Sequence, residues 1–252
     1  MAISVRSGGS DDGPVVVLVH GLGATNRVWD GLVEALDPSW GWIAPDLPGH
    51  GGSGPLSGYT FGSLAAAVDA VLDPERPATI LGHSLGGVVG LELASGEYGV
   101  AVTGMCGLGI KVRWTDDELA KAAELASRPS RVFDTRAEAV DRALKVAGLA
   151  GLVAPDSPAA TSAVTESADG WRLALDPGGF AVGRPDMQAL LAAAQAPVVL
   201  AAGEHDSMSP VEHLRDLVRD PVILPGLGHN AQVEGPSALV PILEHLRGDP
   251  LR

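Results

Sequence analysis

Short, nearly unbroken apolar runs punctuate the chain, each stopping at glycine or a polar turn residue, with helix-period segments between them. Val15-Val16-Val17-Leu18-Val19 is the clearest: five apolar residues without alternation, the pattern of a strand buried on both faces. The same reading places strands at about Ala2 to Arg6, Trp42 to Ala44, Thr79 to Leu81, Val100 to Met105, Val198 to Ala201 and Val222 to Leu224. Helices are expected to begin near Asn26, Thr60, Leu85, Pro210 and Pro236. Buried strands alternating with helices predict an α/β fold with a mostly parallel central sheet of about seven strands flanked by helices. The first strand should pair antiparallel with the second through the turn from Gly8 to Pro14, because a parallel crossover needs about a dozen residues or more.

Between Lys111 and about Ala194 the pattern changes. Roughly 80 residues of helical periodicity, broken by prolines and glycines, stand where one helix would join two strands. This predicts an inserted helical cap over 111–194, with 1–110 and 195–252 forming the core. Asp116 to Arg128 and Thr135 to Ala147 are its best helices, and Thr115 or Asp116 is suited to cap the first. The stretch from Asp176 to Pro185 is dense in helix breakers and should lead back to the sheet.

Composition narrows the class. A chain of 252 residues that is 46% hydrophobic and 19% charged can bury a core, which excludes a disordered chain or a coiled coil. The formal charge of −14 repels phosphate backbones and anionic lipid, so neither a nucleic-acid nor a membrane partner is expected. Cys106, the single cysteine, forms no internal disulfide and reads as a small buried residue at the end of an apolar run. No Cys/His spacing suits a metal, and neither a metal nor an organic cofactor is expected. With no signal-like N-terminus and no apolar run of about 18 residues, a cytoplasmic protein is expected.

The chemistry concentrates in Gly82-His83-Ser84-Leu85-Gly86, followed by Gly87, placed between the apolar run Thr79 to Leu81 and the helical segment Val88 to Ala94. This is G-x-S-x-G in the strand-turn-helix context that exposes a nucleophilic serine, and the small neighbours keep the sharp turn free of collision. A free serine is a poor nucleophile, so a base and a group to orient it are required. Asp206 and His229 each follow a strand further on, and open parallel sheets gather functional groups outside the carboxyl ends of their strands. The roles assigned are Ser84 nucleophile, Asp206 orienting acid and His229 general base. Glu204 is the nearest rival to Asp206, with Asp116 and Asp117 weaker ones. His20-Gly21-Leu22-Gly23 after Val19 should bring the Leu22 amide beside that of Leu85, two donors for an oxyanion.

Taken together, these segments closely resemble the α/β-hydrolase superfamily. The resemblance rests on His20-Gly21 with Trp29, Asp46-Leu47-Pro48-Gly49-His50-Gly51-Gly52-Ser53, Gly82 to Gly87, Asp206 with Pro210, and Gly228-His229 with Glu234 and Pro236. It covers Val15 to Ala94 and Pro197 to Leu246, and leaves the inserted region unmatched. Only one strand fits before Val15, where that family usually has two, so seven strands are expected rather than eight. The resemblance implies a structural role for Asp46 and His50. A serine rather than an aspartate in the elbow implies an acyl-serine route, not the carboxylate nucleophile of haloalkane dehalogenases and epoxide hydrolases.

The expected substrate is a small or medium carboxylic ester, lactone or thioester, a small molecule with a carbonyl group and an apolar portion. His83, Trp114, Trp171 and Phe180 are the candidates for touching it, with Phe133 and Met187 also in the cap; its aromatics can equally build the cap's own core. Two alternatives stand beside this reading. One is a carbon–carbon hydrolase or lyase of the menaquinone-pathway type, in which Arg113, Arg131, Arg172 or Arg184 would hold a substrate carboxylate. The other is a non-catalytic receptor for a small hydrophobic ligand on the same fold.

Overall fold

A seven-stranded sheet runs through the computed structural model, which describes residues 2–247. The chain enters through β1 (Val5–Gly9) and β2 (Val15–Val19), passes a 3-10 turn at Asn26–Trp29 into α1 (Asp30–Ala35), and returns as β3 (Gly41–Pro45). It continues through α2 (Phe61–Asp69), β4 (Ala78–His83), α3 (Leu85–Leu93) and β5 (Val102–Leu108). The long segment that follows holds α4 (Asp116–Ser127), α5 (Arg136–Val146), α6 (Pro158–Ser162), β6 (Val164–Ser167), β7 (Gly170–Leu173) and α7 (Met187–Ala193). The chain then completes the sheet with β8 (Val198–Gly203), α8 (Val211–Arg215), β9 (Val222–Leu224), α9 (Ala231–Glu234) and α10 (Val240–Arg247).

The strand order is β1-β3-β2-β4-β5-β8-β9, parallel throughout except for β1. All five residues of β2 are buried, and its side chains alternate between the two faces. Val16 and Leu18 pack with Trp29, Leu32, Trp40 and Leu243 on one side. Val15, Val17 and Val19 pack with Leu64, Val68, Val89 and Leu91 on the other. Two-sided burial is what the unbroken apolar run anticipated.

One expected pairing is different. β1 lies at Val5–Gly9 rather than Ala2 to Arg6, and it pairs antiparallel with β3, not β2. β2 has parallel neighbours on both sides, β3 and β4, whereas four of the five residues of β1 are exposed, which suits a sheet edge. The link from Ser10 to Pro14 therefore passes over β3. Strands lie about 4.8 Å apart, so skipping one spans about 10 Å, within reach of five extended residues. Gly9, at φ +80°, starts the crossing, and the Gly41 N–H donates to the Pro14 carbonyl at 2.8 Å where it ends.

The segment 111–194 is not wholly helical as expected. β6 and β7 form an antiparallel hairpin in which Ser167 faces Gly170 across a two-residue turn, Ala168-Asp169. Phe133 joins its outer edge, exchanging two 2.8 Å main-chain hydrogen bonds with Trp171. Alternating Thr165-Glu166 and Trp171-Arg172 flank the turn, and Gly170, at φ +135°, opens β7 just after it. Asp176 to Pro185 contains a 3-10 turn at Pro177–Ala181, and α7 intervenes before the sheet resumes.

Helix ends follow local chemistry. Thr115, not Asp116, caps α4, and Thr135 caps α5, each in a reciprocal capping box with the glutamate three residues on. No helix among the described residues is long and apolar enough to cross a membrane.

Candidate functional site

β4, β5, β8 and β9 run in the same direction, so the loops that leave their carboxyl ends share one edge of the sheet. Ser84 stands in the turn between β4 and α3 with φ 50° and ψ −113°, the one non-glycine residue with positive φ among the described residues. Its N–H is held by the Leu108 carbonyl at 2.8 Å. The glycines explain the turn's tightness. A Cβ on Gly82 would overlap the Gly86 carbonyl, and one on Gly86 would overlap the carbonyl of Val19. The second of these contacts brings the start of α3 against the loop that leaves β2. Leu85, the first residue of α3, therefore stands next to the loop that holds the half-buried Leu22, and the first-turn amides of a helix have no intrahelical acceptor.

Asp206 and His229 meet directly. Nδ1 of the imidazole and Oδ2 of the carboxylate are 2.9 Å apart, although 23 residues separate them in the chain. The other carboxylate oxygen accepts the N–H groups of Met208 and Ser209 at 2.9 and 3.0 Å. Burial, the largest single influence, pushes the Asp206 carboxyl up. Hydrogen bonding and charge from His229, with the two N–H donors, outweigh it, so the group lies below its ordinary value. Gly109, at φ +62°, passes so close that a Cβ there would stand 3.1 Å from Oδ2 and 3.3 Å from Nδ1. The pair thus needs glycine beneath it. Glu204 lies apart from this contact: it is exposed and accepts the Gly226 N–H at 2.8 Å. Asp116 and Asp117 occupy the exposed first turn of α4.

The backbone around His229 is fixed by Glu234, which the resemblance grouped with Gly228-His229, and by Asn230, which no motif singled out. Glu234 accepts the Gly228 N–H at 2.6 Å and the Asn230 N–H at 3.0 Å, bracketing the histidine. Asn230 donates to the Gly148 carbonyl at 3.0 Å, beyond the end of α5. His83, expected to touch substrate, is only 3% exposed, and its Nε2 lies 2.9 Å from the His229 carbonyl, to which it donates. Burial drives the His83 imidazole down to about 3, with the neighbouring His229 acting in the same direction.

His20 and His50 hold loops. His20 accepts the Leu47 N–H on Nε2 at 2.9 Å, which leaves its Nδ1–H to donate to the Gly21 carbonyl at 2.8 Å. Asp46 accepts the N–H groups of Asn26 and Gly52 at 2.8 and 3.0 Å, and His50 donates to the Pro48 carbonyl at 3.0 Å. His205 is exposed.

Of the aromatic candidates, Trp171 packs with the cluster that contains Phe133, Val140 and Ala143. Trp114 donates its indole N–H to the Lys111 carbonyl at 3.0 Å, and Phe180 is half-buried in the turn that packs on α4. Arg113 pairs with Asp216, Arg172 with Asp169 at 2.6 Å, and Arg131 lies over the Phe133 ring at 4.6 Å; Arg184 is exposed.

Comparison with known proteins places this geometry in context. The model of the "Alpha/beta hydrolase family" matches residues 16–242. A curated relative, the pimeloyl-[acyl-carrier protein] methyl ester esterase of Neisseria meningitidis, is 32% identical over 209 residues, covering 77% of this chain and 62% of that protein. The chain thus spans less than two-thirds of the curated relatives it matches first, and only 32% of the 30 kDa magnesium-chelatase subunit of Rhodobacter capsulatus. Among solved structures, the thioesterase domain of the curacin biosynthetic pathway superposes with a TM-score of 0.78 at 21% identity, over 96% of this chain and 94% of that one. E-2-(acetamidomethylene)succinate hydrolase does so with a TM-score of 0.79 at 22% identity, over 97% and 94%. At such identities the two structures speak for the fold alone.

Proposed function

The chain belongs to the alpha/beta hydrolase family, and on that premise we propose that it is a serine hydrolase acting on a small or medium carboxylic ester, lactone or thioester through an acyl-serine intermediate. The observation that carries the proposal is the 2.9 Å contact of His229 Nδ1 with the buried Asp206 carboxylate, at the sheet edge where Ser84 holds its strained turn. An ionised carboxylate on Nδ1 fixes the tautomer that leaves Nε2 as the proton acceptor.

His229 Nε2 takes the Ser84 hydroxyl proton as Oγ bonds to the substrate carbonyl carbon, whose π electrons move onto oxygen. The amides of Leu22 and Leu85 are the proposed donors to that oxyanion; losing one such donor costs about 3 to 4 kcal/mol. Collapse breaks the bond to the leaving oxygen or sulfur, which receives the proton from His229. Water then attacks the acyl-serine with the same base, releasing the acid and restoring Ser84.

We read the segment 111–194 as a cap over this edge, the part that sets substrate size. The curated relative named above acts on a methyl ester by its printed name, which favours an oxygen ester here. Arg113 and Arg172 are each paired to an aspartate, which gives no support to the carboxylate-binding role that the carbon–carbon reading asks of them. The test is turnover of p-nitrophenyl esters of increasing chain length, with lactones and an acyl thioester beside them, for the parent and Ser84→Ala. Turnover that vanishes in Ser84→Ala supports the proposal; silence of the parent across the panel overturns it.

A further inference from the structure

One buried imidazole touches three of the four loops of the proposed site, those after β2, β4 and β9, without a part in its proton transfers. His83 is the residue before Ser84, so its main chain belongs to the elbow. Its Nε2–H donates to the carbonyl of His229 at 2.9 Å, and the two rings lie 4.7 Å apart between centroids. Its other nitrogen abuts the loop after β2: a Cβ added to Gly21 would stand 2.8 Å from Nδ1. That nitrogen is buried and has no hydrogen-bond partner among the described residues. A side chain kept for packing alone would not need a donor aimed at one particular carbonyl.

We propose that His83 is a positioning residue: its Nε2–H···O=C bond to His229 sets the separation between nucleophile and base, independently of Asp206. The Asp206 carboxylate orients the imidazole of His229 through Nδ1, but it grips only the side chain. His83 grips the main chain of the same residue and is joined by a single peptide bond to Ser84. Asp206 thus governs rotation of the His229 ring, whereas His83, acting beside the bracket that Glu234 places on the same loop, ties the position of its main chain to that of Ser84. Displacement of a reacting group by about 1 Å costs about 100-fold in rate. A brace of this kind therefore acts on kcat and leaves KM nearly alone. The contact needs the neutral ring with hydrogen on Nε2: a base driven down to about 3 stays neutral throughout the working range, and the His229 carbonyl, which can only accept, selects the Nε2–H tautomer.

This inference rests on the serine-hydrolase reading, and the experiment separates the two. Parent, His83→Gln, His83→Met and Ser84→Ala are compared for kcat and KM on p-nitrophenyl butyrate and for folding by thermal midpoint. Gln and Met have similar length, but only Gln offers an N–H donor. The expected result is a loss in kcat of about 100-fold in His83→Met with KM within about threefold, and recovery of most of that loss in His83→Gln. Equal losses in the two variants, or parent-like kcat in His83→Met, overturn the inference while parent turnover stands. A parent that turns over no substrate overturns the underlying reading instead. Nitrogen-15 spectra of the parent's histidines provide a measurement independent of variant folding. His83 should appear as the neutral Nε2–H tautomer with no titration between pH 5 and 9; the Nδ1–H tautomer, or titration in that range, contradicts the brace.

Discussion

Asp206 reaches His229 from the end of β8 with one carboxylate oxygen on Nδ1 at 2.9 Å and the other bound by two main-chain N–H groups. Both oxygens are thus committed, and the acid is locked in one rotamer. Glu204, two residues earlier, is turned to solvent and to the Gly226 N–H. Asp206→Asn should therefore lower kcat by about 10⁴, the size of effect seen when an amide imposes the wrong histidine tautomer. Glu204→Gln should change kcat by less than about twofold. Steady-state kinetics of both variants decide the matter; a large loss in Glu204→Gln would show that the wrong carboxylate has been assigned.

Acid should destabilise the fold through its buried histidines before it reaches the carboxylates. His50 and His83 are both pushed to about 3, burial being the first cause in each, whereas in the unfolded chain they return to about 6.5. The unfolded state then binds more protons at every pH between those values. Their contribution is complete above pH 6.5, falls as the pH drops, and is gone below about 3. The slope is about 1.4 kcal/mol per pH unit for each histidine. Asp206, held below its ordinary 3.8, adds its own loss only beneath that value. Urea unfolding from pH 7 to pH 4 should show the slope, and His83→Gln or His50→Gln should each reduce it by one histidine's share. An unchanged slope in both variants would contradict the burial argument.

Backbone strain at Ser84 has a measurable consequence. A non-glycine residue held at φ 50°, ψ −113° costs about 1 to 3 kcal/mol, more than the 0.4 to 1 kcal/mol that glycine loses through its freer unfolded chain. Ser84→Gly and Ser84→Ala should both be inactive, yet the glycine variant should be the more stable by about 1 kcal/mol. Denaturant midpoints of the two compare them directly. An alanine variant of equal or greater stability would mean that the turn is relaxed.

Tyr59 fastens the loop after β3 to the segment before α7. Its hydroxyl donates to Asp176 at 2.6 Å and accepts the Leu56 N–H at 3.2 Å, and Gly49, at φ +73°, leaves room for it. Burial and the Asp176 hydrogen bond raise the phenol well above its ordinary range. Tyr59→Phe should cost about 2 kcal/mol, the usual worth of a hydrogen bond to a charged group, and speed proteolytic cleavage near residues 177–183. Cleavage at the parent's rate would show that the clamp does not hold this segment.

The candidate residues were legible where chemistry follows a strand. Ser84, Asp206 and His229 each stand just past an apolar run, and the rule that parallel sheets gather function at one edge brings their loops together without coordinates. What stayed hidden depends on partners chosen in three dimensions. The exposure of β1 fits an edge strand, but no local pattern says that its neighbour is β3. The β6–β7 hairpin turns at Ala168-Asp169, a pair without the usual hairpin-turn chemistry, and helical periodicity stands on either side of it. His83 shows the limit most plainly. Its place beside Ser84 suggested a substrate contact, whereas the group it binds is a main-chain carbonyl 146 residues away, a kind of partner that sequence pattern does not display.

The central claim is that Ser84 is an activated nucleophile, and covalent labelling tests it whatever the substrate. Parent and Ser84→Ala are incubated with a fluorophosphonate, and intact mass and peptide mapping locate any adduct. One adduct per chain is expected on Ser84 in the parent and none in Ser84→Ala. A parent that stays unlabelled, or an adduct that persists at another residue in Ser84→Ala, would contradict the claim.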